Sequence, residues 1–75
     1  MTRKIKLDTF TATMIAEGEF GLADVKEDEI TEELILEAWQ YLVDTGMAWT
    51  LQGWFGRTAK QLIEEGVIME KLGDK

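Results

Sequence analysis

The sequence contains no cysteine, no histidine and no proline. Without cysteine the chain has no disulfide and no thiolate metal site, and without histidine it lacks the commonest metal ligand and the commonest general base. No spacing forces two carboxylates into one pocket, and the stretch EDEITEE lacks the alternating oxygen ligands and the central glycine of a calcium loop. We therefore expect a protein that is not an enzyme and that uses no metal or other cofactor.

Long apolar runs are also absent. No stretch approaches the roughly 20 residues of a membrane span, and the basic start MTRKIKLDTF is not followed by the apolar stretch of a signal peptide. We therefore expect a cytoplasmic protein with no membrane partner. Its 75 residues suffice for a single small helical domain, residues 1–75. A core of this size is only marginally stable, so self-association is the remaining source of extra stability.

Positive charge is scarce over most of the chain. The net charge is −7 at pH 7, and Lys26 is the only cation from Leu7 through Gly56. Because affinity for nucleic acid depends on clustered lysine and arginine, we expect no direct nucleic-acid partner. The acidic residues form an arc with two interpretations, a solubilising surface or a mimic of nucleic acid that occupies a basic groove. The arc consists of Asp24, Glu27, Asp28, Glu29, Glu32, Glu33 and Glu37.

Glycines separate three segments of helical periodicity. The pattern predicts an all-α domain with helices at about 7–17, 32–45 and 55–65. Asp8 or Thr9 is placed to cap the first helix, and Thr31 to cap the second. Gly46 is placed to end the second helix in a left-handed conformation.

The second predicted helix is apolar over most of its circumference. Ile35, Trp39 and Val43 form one of its apolar rows. A helix of this kind is either buried or shared with a partner. This row is our candidate for self-association, with the second helix at the seam of a homodimer.

The stretch GWFG from Gly53 to Gly56 places two large aromatics between two glycines. We expect a tight turn there, with Phe55 turned inward. Its outline also fits a GxxG loop that clamps nucleic acid, although the few nearby cations argue against that interpretation. Trp54, Arg57 and Gln61 are then our candidates for contact with another protein, because tryptophan and arginine are typical of binding hot spots. In the alternative interpretation, Trp54 packs on Trp49 or the first helix and closes the core.

The C-terminal half carries a specific pattern. The stretch AWQYLVDTGMAWTLQGWFGRTA, residues 38–59, is followed by Leu62-Ile63-Glu64 and Gly66. It resembles a family of short uncharacterised proteins of tailed bacteriophages, whose pattern runs Leu-Ile-Asp-Thr-Gly, Trp, Leu-Gln-Gly, an aromatic, Gly-Arg-Thr-Ala and Leu-Ile-Glu. The resemblance covers about half of the chain.

The resemblance implies an origin and, through it, a function. Small acidic phage proteins often act by binding one host protein, in host takeover or against host defence. By this analogy we expect a non-enzymatic inhibitor or adaptor in the host cytoplasm, with a host protein as partner. Two alternatives stay open, a structural or accessory homo-oligomer and the acidic mimic of nucleic acid.

Overall fold

The computed structural model describes residues 5–69 of the chain. Within this range there are three α-helices, α1 (Thr9–Glu17), α2 (Glu32–Asp44) and α3 (Gly53–Glu64). Two short 3-10 turns, Glu27–Glu29 and Met47–Trp49, lie in the connections, and residues 5–69 contain no β-strand. The predicted all-α, three-helix architecture is confirmed.

The first helix begins two residues later than predicted. Asp8 is extended and serves as its N-cap, and the Asp8 carboxylate accepts the backbone N–H of Thr11 at 2.7 Å. At the other end Gly18 adopts φ +83°, and the N–H groups of Gly18 and Glu19 reach back to the carbonyls of Ile15 and Met14. This pair of bonds is a Schellman ending, for which a left-handed glycine is well suited.

The second helix begins and ends where the sequence predicts, to within a residue. Thr31 caps it, and the hydroxyl of Thr31 accepts the backbone N–H of Leu34 at 3.0 Å. Glu32 and Glu33 occupy the first turn, where the helix dipole favours negative charge. Gly46 follows the last turn with φ +82° and starts the Met47–Trp49 turn.

The third helix begins at Gly53, two residues earlier than predicted. Gly53 and Gly56 therefore lie inside α3, and neither is among the glycines with positive φ. The predicted tight turn at GWFG is wrong, and so is the outline of a GxxG loop. Gly66, with φ +80°, ends this helix. The backbone N–H of Gly66 donates to the carbonyl of Ile63, and that of Val67 donates to the carbonyl of Leu62.

The core lies where α1 and the Met47–Trp49 turn pack on α2. Its centre is aromatic, because the ring of Trp39 on α2 lies 5.7 Å from that of Phe55 and 6.1 Å from that of Trp54, both on α3. Buried alanines accompany these rings at each packed element, so the backbones approach closely. The fully buried alanines are Ala12, Ala38, Ala48 and Ala59.

The segment after α3 returns to α2. Ile68 is 5% exposed and joins the core. The side-chain amide of Gln40 holds the next residue by two hydrogen bonds of 2.8 Å, since Nε2 donates to the Met69 carbonyl and Oε1 accepts the Met69 N–H. Gln40 therefore satisfies both backbone polar groups of Met69.

The cap of α1 makes a pH-dependent contribution to stability. The pKa of Asp8 lies below its ordinary value of 3.8 because the carboxylate accepts hydrogen bonds from the backbone and side chain of Thr11. The contribution is therefore present above the ordinary pKa and is lost as the pH falls through the lowered one.

We expect Asp8→Asn, which keeps an acceptor but cannot titrate, to lose less stability than the parent between about pH 5 and about pH 2. Urea midpoints of both proteins across this range measure the difference. Equal losses would show that the cap makes no titrating contribution.

The amide of Gln40 should anchor the C-terminal segment. Gln40→Met removes both bonds to Met69 but keeps the side-chain length, so we expect faster hydrogen exchange at the Met69 amide and a loss of about 0.5–1.5 kcal/mol in stability. Gln61→Met is the control, because the amide of Gln61 reaches only the exposed Glu65, at 3.1 Å. Unchanged protection of Met69 in Gln40→Met would contradict this role.

Candidate functional site

The outward face of α3 begins with four exposed residues that we name the α3 crest. They are Gly53, Arg57, Lys60 and Gln61. Residues three and four apart are neighbours on a helix surface, so Arg57 lies between Gly53 and Gln61, with Lys60 alongside. Two of the three predicted contact residues, Arg57 and Gln61, therefore share one exposed face.

The side chain of Arg57 folds back along this crest. Its Nη1 lies 3.3 Å from the position that a Cβ would occupy on Gly53. Because Gly53 has no side chain, the guanidinium rests over the backbone and stays open to solvent on its other face. A planar guanidinium presented in this way can pair with a carboxylate through two bonds or stack on an aromatic ring.

Trp54, the third predicted contact residue, lies at the border of the crest. It is partly buried, with its ring centroid 4.1 Å from that of Phe55 and edge-on to Trp39. The ring closes the aromatic centre of the core, as in the alternative interpretation, but its partners are Trp39 and Phe55. Trp54 can therefore offer only part of its surface to another protein.

Trp49 is the exposed tryptophan of this region, although the sequence did not predict it as a contact residue. Its side chain is 51% exposed, and its Cε3 lies 3.6 Å from the position of a Cβ on Gly56. On the helix, Gly56 lies next to Gly53 and Lys60, so the indole of Trp49 borders the crest on the side away from Trp54. The crest is thus flanked by tryptophan on both sides.

The predicted self-association row is covered by the fold. Trp39 is 4% exposed and Val43 1% exposed, while Ile35 is partly buried against the core. The wide apolar surface of α2 has an internal explanation, because α1, the Met47–Trp49 turn and the aromatics of α3 all pack against it. Trp39 and Val43 have no surface to offer a second copy, and self-association itself stays a prediction.

The acidic arc is not uniform. Glu29 is 8% exposed, and its carboxylate accepts the backbone N–H of Lys26 at 2.9 Å, so it has a structural role in the Glu27–Glu29 turn. The other members of the arc are exposed: Asp24, Glu27, Asp28, Glu32, Glu33 and Glu37. Over residues 5–69 no three acidic side chains come together as a set of metal ligands.

Comparisons with known proteins give a family but no activity. The model of the family described as Domain of unknown function (DUF7417) matches residues 20–74. Searches of the curated proteins and of the solved structures found no match. Among the described helices, none has the length and apolar character needed to cross a membrane.

Gly56, which lies under Trp49, and Gly46, which follows α2, should respond oppositely to substitution by alanine. Gly56 is inside α3 and a Cβ there meets Trp49 at ordinary contact distance, so Gly56→Ala should stabilise the fold by about 0.5–1 kcal/mol. Gly46 has φ +82°, which costs other residues about 1–2 kcal/mol, so Gly46→Ala should destabilise it. Urea unfolding of both variants tests the pair. A loss of stability in Gly56→Ala would show that the contact with Trp49 is tighter than described.

Proposed function

The chain belongs to the family described as Domain of unknown function (DUF7417), a description that names no activity, so we propose its function from its surface: it is a non-enzymatic protein-binding factor. Its contact surface is the α3 crest with the flanking Trp49 and Trp54. The observation that carries the proposal is the exposed indole of Trp49 beside a crest that presents Arg57 and Lys60. Tryptophan and arginine dominate binding energy at protein interfaces.

The charge of the crest indicates the chemistry of the partner. The described residues contain four cations, Lys6, Lys26, Arg57 and Lys60, and two of them lie on this one face of a protein whose net charge is −7. A partner that presents carboxylates around an apolar patch would pair with Arg57 and Lys60 and cover Trp49. Basic surfaces would be attracted elsewhere on the molecule, so charge also orients the encounter.

The exposure of Trp49 favours a binding role over a purely structural one. A tryptophan side chain that is half in solvent forgoes much of the stabilisation that burial of its ring would give. A partner that covers the ring gains this burial energy. The backbone under the ring, at Gly56, is part of the helix α3. Rigid presentation lowers the entropy cost of binding.

The resemblance to short proteins of tailed bacteriophages supplies the setting. We propose a phage-encoded inhibitor or adaptor that acts in the host cytoplasm, in host takeover or against host defence, by binding one host protein. The absence of histidine and cysteine supports a role without catalysis. The setting rests on analogy, whereas the contact surface rests on the crest.

An accessory homo-oligomer is the second candidate. It is favoured by two large apolar side chains outside the crest, Phe10 at 58% and Leu22 at 64% exposure, which a second copy would cover. The acidic mimic of nucleic acid is the third, and the exposed part of the acidic arc supports it.

The test is capture of the partner by the tagged chain from lysates of candidate bacterial hosts, followed by Kd measurement with the purified partner. Trp49→Ala and Arg57→Glu should each weaken binding by about tenfold or more, because hot-spot residues contribute at least ~1.4 kcal/mol. Lys26→Glu is the matched control, since it makes the same change in charge at an exposed site away from α3. Trp54→Ala is a poor probe, because it opens the aromatic core.

The outcomes separate the three candidates. A partner that Trp49→Ala and Arg57→Glu retain would contradict the crest as contact surface. Absence of a partner, together with elution of the chain as an oligomer, would favour assembly. A basic partner whose affinity falls steeply with salt, and is unchanged by Trp49→Ala and Arg57→Glu, would favour the mimic of nucleic acid.

A further inference from the structure

The outer face of α2 carries two shallow grooves that meet at shared residues. One, of about 430 Å³, lies between α2 and residues 67–68, and its apolar surface is formed by Leu36, Val67 and Ile68. The other, also about 430 Å³, lies between α2 and residues 5–7, with Leu7 and Tyr41 among its lining. Glu37 and Gln40 line both grooves.

This face already binds backbone groups of the chain itself. Gln40 holds the N–H and the carbonyl of Met69, and the preceding Ile68 inserts into the core, while Val67 remains 44% exposed. The arrangement is that of a chain segment bound on a helix, with the side chain of Ile68 buried and the backbone of Met69 paired. The open part of the groove continues from this segment along α2.

The charges around the grooves are of one sign. Glu32, Glu33 and Glu37 line the first groove, and Glu37 and Asp44 line the second, all with exposed side chains. Lys6 is the only cation among the described residues that line either groove. Glu33 and Glu37 are four residues apart on α2, so they repel each other in the free protein, and a cation placed between them would relieve that repulsion.

We propose that this face binds a partner peptide segment in which lysine or arginine flanks an apolar side chain. The apolar side chain fits the surface formed by Leu36, Val67 and Ile68, and the cations pair with Glu33 and Glu37. A second copy of the chain is disfavoured as occupant, since each copy carries a net charge of −7 and the copies repel each other. The site does not depend on the α3 crest, so the protein presents two separate docking surfaces and can join two partners.

The probe is a synthetic peptide, acetyl-Arg-Leu-Lys-Ile-Arg-amide, titrated into isotope-labelled full-length protein and followed by amide chemical shifts. We expect shifts clustered at Leu36, Glu37, Gln40, Val67 and Ile68. Binding should weaken steeply towards about 1 M salt, where the Debye length is ~3 Å. A peptide with serine in place of leucine and isoleucine should bind about tenfold more weakly, because it leaves the apolar surface uncovered.

Two double variants of equal net charge provide the control. Glu33→Lys with Glu37→Lys should weaken peptide binding by about tenfold or more, whereas Glu17→Lys with Glu19→Lys, at the exposed end of α1, should leave it unchanged. Arg57→Glu should also leave it unchanged, which separates this site from the crest.

Three results would overturn the proposal. The first is that both double variants weaken peptide binding equally, and the second is that the serine peptide binds as tightly as the parent peptide. The third is that the amide chemical shifts change over the whole acidic surface. Each result would show that the peptide responds only to the net charge of the protein. Shifts at the same residues that depend on protein concentration without peptide would instead assign the face to a second copy.

Discussion

Trp39 on α2 packs against Trp54 and Phe55 on α3, and this aromatic contact fixes where α3 lies. Each large ring buries more apolar area than an aliphatic side chain does, and the fully buried alanines let the helices come close enough for the rings to meet. The orientation of the α3 crest follows from it. With Phe55 facing inward, helical spacing leaves Gly53, Arg57 and Gln61 on the opposite side of α3.

The same contact separates the charges of the molecule. One face of α2 is used for α1 and the aromatics of α3. Its remaining face holds Glu33, Glu37, Gln40 and Asp44 in a row that lines the two grooves. Arg57 and Lys60 lie on another helix, away from this row. A protein of strongly acidic composition thereby places two of its four described cations, Arg57 and Lys60, on one surface between Trp49 and Trp54.

Local chemistry made much of the fold predictable. Asp8, Thr31, Gly18, Gly46 and Gly66 have short-range roles, as caps or left-handed residues, that depend on a few neighbouring bonds. The start of α3 was not predictable in this way, because Gly53 and Gly56 disfavour a helix on their own. Their helical state follows from tertiary packing, in which Phe55 is buried, Trp49 covers Gly56 and the guanidinium of Arg57 covers Gly53.

The candidate site was predictable only in part, for a related reason. Helical spacing from Phe55 is enough to place Arg57 and Gln61 outside. Which tryptophan is exposed depends on how the Met47–Trp49 turn packs between α2 and α3, and no pattern in the sequence distinguishes Trp49 from Trp54 on that point. The wide apolar surface on α2 was likewise ambiguous. The same apolar residues could pack against other helices of the chain or against a second copy.

The packing of the helices follows their order along the chain. α1 packs on α2, and the Met47–Trp49 turn packs on both α2 and α3, so elements that are neighbours along the chain contact each other. Chains with such local contacts fold in microseconds to milliseconds, and without proline there is no slow isomerisation step. During synthesis the residues of α1 and α2 leave the ribosome before those of α3. In that interval the ring of Trp39 lacks the rings of Trp54 and Phe55, which pack against it in the folded chain.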